Sequence, residues 1–234
     1  IRITYTKMIV ELQNICKSYK NQMSGSVRDV LKNIDLTVSK GDLISVVGPS
    51  GCGKSTLLNI IGTMDNPDSG NVNFQGRIIN DLNSGELAVI RNKKIGFVFQ
   101  QHHLLPQLSL MENVLLPLIT EKDKKVKTIA MNRAKELISW VGLADVVHQF
   151  PSQLSVGECQ RAAVVRALIN EPEIILADEP TGSLDEKSAM ELVDLLISLN
   201  AENGQAVVMV THASKLAEKM KKMYQLSNGS LIQV

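Results

Sequence analysis

Short apolar runs with strand-like alternation take turns with segments of helical spacing along most of this 234-residue chain. Runs at Ile9 to Tyr19, Leu31 to Val38, Leu43 to Val47, Ile95 to Phe99, Ile174 to Ala177, Ala206 to Val210 and Met223 to Leu226 predict strands. Helical spacing marks Lys54 to Ile61, Lys124 to Val141, Gly157 to Ile169, Glu186 to Ala201 and Ala213 to Met220. In the second of these, Ala130, Ala134, Leu137, Ile138 and Val141 share one face. Asn66-Pro67-Asp68-Ser69-Gly70 reads as a turn, and Ser227-Asn228-Gly229-Ser230 as the tip of a hairpin joining Met223 to Leu226 with Leu231 to Val234. Alternation of this kind predicts an α/β domain with a largely parallel sheet.

The middle of the chain breaks the rhythm. From Gln101 to Pro151 no segment reads as a strand, so an inserted helical subdomain is expected there. Lys122, Lys124, Lys125 and Lys127 gather just before or within its longest helix. Such a run is either a solvated helix start or a basic patch facing a membrane surface.

Charge narrows the function. Lys+Arg 25 against Asp+Glu 24 leaves a net charge of +1, so no global field draws the chain to nucleic acid or an anionic membrane. Aromatic residues are only 3% of the chain, which also weighs against stacking on unpaired bases. The uncharged stretch from Ile95 to Met111 is interrupted by Gln100, Gln101, His102, His103, Pro106 and Gln107. It falls short of the roughly eighteen apolar residues of a membrane span. No charged segment followed by an apolar one opens the sequence, so no secretory leader is expected. Cys16, Cys52 and Cys159 are odd in number and lack metal-ligand spacing, as expected of a reducing compartment.

Gly48-Pro49-Ser50-Gly51-Cys52-Gly53-Lys54-Ser55 is a glycine-rich phosphate loop lying between an apolar strand and a helix. Its glycines let backbone N–H groups converge on phosphates, and the helix start favours negative charge. Lys54 is placed to reach the β- and γ-oxygens, Ser55 to hold Mg²⁺, and Thr56 to join them on the helix start. Cys52 is either a small filler of the loop or an oxidation-sensitive thiol.

Glu173 to Glu179 is an apolar strand ending in two carboxylates, an expensive arrangement unless something uses them. Alternation along a strand sends successive side chains to opposite faces. Asp178 is therefore expected in the Mg²⁺ shell and Glu179 as the base for the water attacking a γ-phosphate. Leu154-Ser155-Val156-Gly157-Glu158 has the spacing of a capping box, with Ser155 as cap and Glu158 three residues on. A capped helix start beside a glycine also offers N–H groups and a hydroxyl to an anion, the second half of a phosphate site.

The phosphate loop, Gln100 after an apolar strand, Leu154 to Glu158, Asp178-Glu179, Ser183-Leu184-Asp185 and Thr211-His212 occur in that order. In this the chain resembles the ATP-binding subunit of an ABC transporter, over essentially all of Met8 to Val234. The resemblance implies one ATPase domain over residues 1–234. Residues 1–100 and 171–234 would form a P-loop NTPase core with a mostly parallel sheet and an antiparallel β subdomain near the N-terminus, and residues 101–170 the α-helical insert. It implies ATP and Mg²⁺ as cofactors and a head-to-tail dimer with a second copy of the chain, in which two ATP molecules are sandwiched. Tyr19 matches the adenine-stacking aromatic, although a surface tyrosine at a strand end is the plain alternative. Gln100 matches the glutamine that senses metal and water, while Ser155, Gly157 and Glu158 match the contacts made across the dimer. Asp185 matches the loop coupling the two sites and His212 the histidine on the γ-phosphate. His102, His103 and His148 carry no such match.

One departure stands out, since the family reads Leu-Ser-Gly-Gly where this chain has Val156. Either the backbone there is one that valine accepts, or the closed dimer is weakened. The segments around Arg91 to Gln100, His102 to Pro106, Glu112 to Val114 and Ala177 to Asp185 look most like the branch for lipoprotein release, macrolide export and peptide efflux. That likeness implies an integral membrane permease subunit as partner, a peripheral place on the cytoplasmic face of the cell membrane, no nucleic acid, and no direct contact with small-molecule cargo. Leu104, Leu105, Leu108, Leu110, Met111, Val114, Leu115 and Leu116 either line the groove for that partner or pack the helical insert. Competing readings are a soluble ABC-type ATPase working on nucleic acid or the ribosome, and a small-molecule kinase. The first wants a charge or coiled-coil insertion the chain lacks, and the second leaves Leu154 to Glu158 unused.

Overall fold

A computed structural model describes residues 7–20 and 25–234. It opens with β1 (Met8–Lys20), β2 (Val27–Ser39) and β3 (Leu43–Val47), passes through α1 (Lys54–Ile61), and continues as β4 (Ser69–Phe74) and β5 (Arg77–Ile78). Next, α2 (Ser84–Lys94) leads into β6 (Ile95–Phe99), followed by α3 (Leu110–Leu115), α4 (Lys124–Trp140) and α5 (Val156–Leu168) with short 3₁₀ turns between them. Then come β7 (Ile174–Asp178), α6 (Glu186–Asn203), β8 (Ala206–Thr211), the single turn α7 (Ser214–Ala217), and the hairpin of β9 (Lys222–Ser227) and β10 (Ser230–Gln233).

The strands make two sheets. One is antiparallel, in the order β2-β1-β4-β5, and the other runs β10-β9-β3-β8-β7-β6. In the second, β9, β3, β8, β7 and β6 are mutually parallel and β10 alone is antiparallel. The fold is an α/β P-loop NTPase fold. Its central strands β7 and β8 are apolar on both faces, as burial on both sides requires. Along β7, Ile174 and Leu176 join the core between the two sheets and α1, whereas Ile175 and Ala177 join the core beneath α5, α6 and α7. Val208 and Met209 of β8 divide in the same way.

Parallel register brings the strand ends into line. Val47 pairs with Thr211, Asp178 with Val210, and Phe99 with Asp178, so the segments after β3, β6, β7 and β8 leave one edge of the sheet together. Ligands of open α/β sheets bind outside such carboxyl ends.

A third core lies apart from the sheets, built by Leu104, Leu110, Val114, Ala134, Ile138, Val165 and their neighbours from α3, α4 and α5. Capping boxes start three helices: Asn83 with Glu86 for α2, Ser109 with Glu112 for α3, and Ser155 with Glu158 for α5. In each the carboxylate accepts backbone and side-chain donors, and its pKa lies below the usual carboxylate range.

Several elements differ from the sequence expectation. β2 starts at Val27 rather than Leu31, because cross-strand pairing with β1 carries it four residues further out. β4 starts at Ser69, inside the segment read as a turn, since β1 supplies a partner for a strand with little apolar character of its own. α2 was not expected at all, having only Leu87 buried. α7 is shorter than Ala213 to Met220. The Ala217 carbonyl accepts from the buried Ser45 hydroxyl at 3.0 Å and from Met220 N at 3.0 Å, which tightens the chain into β9. At the hairpin tip, Asn228 and Gly229 both have positive φ, as a two-residue primed turn demands.

Candidate functional site

The loop between β3 and α1 is held by close backbone packing. At Gly48 a Cβ would stand 2.3 Å from the Leu226 carbonyl oxygen, and Gly53 has φ 112°, so neither position has room or conformation for a side chain. Lys54 is 5% exposed, an expensive place for an ammonium without partners. Its Nζ donates back to the carbonyls of Gly48 at 2.9 Å and Pro49 at 3.2 Å, and lies 3.7 Å from Glu179 Oε1. From the outside, Arg28 Nη2 donates to the Gly51 carbonyl at 2.8 Å. Cys52 packs its side chain against the core between the sheets.

Facing this loop is the end of β7. Ser55 Oγ donates to Asp178 Oδ1 at 3.1 Å. Burial pushes the Asp178 carboxyl above the usual range; the Ser55 hydrogen bond and Lys54 oppose that shift, and Glu179 adds to it. Glu179 has left the strand. Its φ is 45°, a left-handed conformation that a residue with a side chain holds only where its surroundings impose it. Its N–H donates to the Val210 carbonyl at 2.9 Å, and Gly182 N closes a turn on its carbonyl at 3.0 Å. The two carboxylates do have different partners, but strand alternation is not the cause. The backbone turns at Glu179 and keeps both side chains on one cleft.

Glu179 Oε2 lies 3.0 Å from Nδ1 of His212, which follows β8 in a turn closed by Ala213 N donating to Thr211 Oγ1 at 3.0 Å. Gln100 leaves β6 beside Gly182, where a Cβ would be 2.7 Å from the amide nitrogen, and its carbonyl accepts from the Ser183 hydroxyl at 3.2 Å. Tyr19, at the outer end of β1, donates from its phenol to Asp65 Oδ2 at 2.7 Å and is 3.5 Å from Thr56 Oγ1. Lys17 braces the same Asp65 at 2.7 Å. Burial is the first cause raising the Tyr19 phenol above its usual value, and its ring stays half-exposed.

These groups enclose a cleft of about 680 Å³. From the loop, Ser50, Gly51, Gly53, Lys54, Ser55 and Thr56 line it; from around it come Tyr19, Gln100, Asp178 and Glu179. Gly48, Pro49 and Cys52 lie behind this lining rather than in it, and His212 reaches it through Glu179. Arg28 and His103 also line the cleft, and neither was expected. His103 sits edge-on to Phe99 with its ring centroid 5.3 Å away. His102 instead accepts from Leu104 N at 3.1 Å, and burial lowers its pKa.

Ser155, Gly157, Glu158 and Asp185 do not line this cleft. The Ser155 N–H and hydroxyl both donate to Glu158 at 2.7 Å, and Asp185 caps α6 through Ser188. Val156 is the first residue of α5, is not among the residues with positive φ, and is half-exposed. The backbone here is one that valine accepts.

Comparison with known proteins decides the family, because the ABC transporter domain matches residues 31–182. The chain belongs to the ABC transporter family. It is 44% identical over 221 residues to the lipoprotein-releasing system ATP-binding protein LolD 1 of Rhodopirellula baltica, covering 94% of this chain and 95% of that one. It is 43% identical to the macrolide export ATP-binding/permease protein MacB of Bdellovibrio bacteriovorus, of which it spans only 33%. Among solved structures, the ATP-binding cassette MJ0796 in a dimeric post-hydrolysis state with ADP and Pi is 41% identical, with a TM-score of 0.85 over 97% of this chain and 98% of that one. The chain is an ATP-binding subunit of the ABC type, and its activity is ATP hydrolysis with Mg²⁺.

The donors in the cassette fit that metal. Among the described residues no group of three or more His, Cys, Asp or Glu is placed to hold a metal ion. Mg²⁺ does not require one, since it takes one or two oxygen donors and fills its shell with water and substrate phosphates. The hydroxyl and carboxylate of Ser55 and Asp178, 3.1 Å apart at the cleft wall, are donors of this kind.

Of the apolar residues expected at a partner groove or in the helical insert, Leu104, Leu110 and Val114 are core. Leu116 instead lines an open groove of about 470 Å³ with Met64, Phe97, Pro117 and Arg166. No helix among the described residues is long and apolar enough to cross a membrane.

Proposed function

We propose that this chain powers a membrane transporter as one of two copies that close head to tail on two ATP molecules, each phosphate loop meeting the partner's Ser155 to Glu158. One observation carries the reading: Lys54, the Ser55–Asp178 pair and the Glu179–His212 pair converge on one cleft, while Ser155 starts a helix outside it. The cleft is thus half of a site. LolD 1 and MacB, named for lipoprotein release and macrolide export, favour an export-type transporter; LolD 1, named as an ATP-binding protein and matched over 95% of its length, favours a permease on a separate chain, with this subunit peripheral at the cytoplasmic face.

In this reading Tyr19 stacks on adenine and the loop N–H groups with Lys54 cradle the phosphates. Glu179 takes a proton from the attacking water as the γ-phosphoryl group transfers, and His212, at 3.0 Å, orients the carboxylate and contacts the γ-phosphate. Gln100 joins Ser55 and Asp178 around Mg²⁺, which supplies charge neutralisation to the phosphoryl oxygens. Residues 101–170 act as the helical subdomain that carries Ser155 toward the second copy, and the groove beside Leu116 receives a helix of the permease.

Glu179→Gln tests the assignment. The variant should bind Mg-ATP as the parent does and lose hydrolysis by roughly a hundredfold or more. Hydrolysis at the parent rate would remove Glu179 from the reaction.

A further inference from the structure

Arg28 stands directly opposite Tyr19 in the antiparallel pairing of β1 and β2, and the two side chains line the same cleft. Its guanidinium reaches the tip of the phosphate loop, where Nη2 donates to the Gly51 carbonyl at 2.8 Å and Gly51 itself has φ 73°. A guanidinium offers five N–H donors in a planar fork, and this bond uses one. Among the described residues no Asp or Glu lies in ion-pair range of Arg28. Lys54 differs, for it is buried behind the loop and already faces Glu179. Asp178 and Glu179 stand beside Ser55 and Lys54, so Arg28 brings to the open side of the cleft a positive charge with no carboxylate partner among the described residues.

We propose that Arg28 is a nucleotide-binding residue, a second cation that bridges the phosphate-loop tip to the polyphosphate of the bound nucleotide. Arginine suits the task because its fork holds a carbonyl with one N–H and phosphate oxygens with others. The inference rests on the cleft being the ATP site, and it adds a contact supplied by the register of a hairpin rather than by any of the ATPase motifs.

The test compares Arg28→Ala, Arg28→Lys and Lys54→Ala in the full chain by titration with Mg-ATP, Mg-ADP and adenosine. Arg28→Ala should weaken ATP and ADP by roughly tenfold or more, the value of a charged hydrogen bond. Adenosine binding should hold within about twofold. The ATP affinity should also depend less on salt, and Arg28→Lys should recover part of the loss. An equal loss for adenosine and ATP would reduce Arg28 to a tether of the loop, and unchanged ATP affinity would remove it from the site; either overturns the proposal. Lys54→Ala separates this from the parent reading: if it abolishes ATP binding while Arg28→Ala is silent, only Arg28 is misassigned. If neither variant affects ATP, the cleft is not the phosphate site.

Discussion

Two stretches that begin helices beside glycines, Gly48 to Ser55 and Ser155 to Glu158, are finished to different degrees. Around the first, charges and hydroxyls from four strand ends already face one another across a cleft. The second is closed on itself, for Ser155 and Glu158 satisfy each other. Both are helix N-termini whose dipole favours an anion, yet only the first gathers a lysine and carboxylates from other elements about it. The difference teaches that an anion-binding helix start becomes a reaction site only where the fold gathers charges about it. In the proposed function, the complete half of one chain meets the bare half of a second copy.

The comparison can be broken at either half, and the first should break hardest. Lys54→Ala removes the buried cation of the loop, and nucleotide binding should fall below detection by calorimetry; unchanged affinity would contradict the phosphate assignment. Ser155→Arg should come next. It blocks the bare half and costs the α5 cap about 1 kcal/mol, so the chain should still fold and bind ATP but lose steady-state hydrolysis. Full turnover by that variant would mean that Ser155 meets no phosphate. A smaller effect is expected from Asp65→Asn, which loosens the Tyr19 phenol held at 2.7 Å. The KM for ATP should rise a few-fold, about 1 kcal/mol for one hydrogen bond, with kcat little changed. If Tyr19→Phe abolishes the effect of Asp65→Asn, the two act as one unit.

Smallest is a pH effect on the bare half. Ser155 holds the Glu158 carboxyl below its ordinary value, so the stabilisation it gives is present above the ordinary carboxylate range and is lost as pH falls through the lowered value. Melting curves should show Glu158→Gln less stable than the parent at neutral pH, with the gap closing as pH falls below the ordinary carboxylate range. A gap that persists in acid would detach the cap from that carboxylate. Val156, by contrast, already sits in helical backbone, so Val156→Gly should leave ATP affinity unchanged and preserve or raise turnover.

The parallel core was legible because each of its strands carries enough apolar residues to announce burial on both faces. Ile174 to Ala177 and Ala206 to Val210 are uninterrupted runs, and the structure splits each between two cores. β4 was hidden because Ser69, Gly70, Asn71 and Asn73 are poor strand formers, and pairing with β1 decides its shape. A local signal for α2 did exist, Asn83 three residues before Glu86, and the capping-box spacing would have found it. The phosphate loop and Asp178-Glu179 could be read as motifs because adjacent residues carry them. Arg28 and Asp65 could not, since Arg28 reaches the cleft through the register of β2 on β1 and Asp65 meets Tyr19 through the chain's return after α1. The left-handed turn at Glu179 was equally invisible, because strand continuity was assumed where Pro180 disfavours ordinary helical backbone before it.

In the proposed function a working site takes its two halves from two copies. Mixing chains tests it most directly: Ser155→Arg, with an intact phosphate half, and Glu179→Gln, with an intact Ser155 half, are each assayed alone and then together for phosphate release. Each should be inactive alone, and hydrolysis should appear in the mixture, where one site of the mixed dimer receives both intact halves. A mixture as inactive as its parts, while both chains bind ATP, would mean that the two halves do not meet in one site.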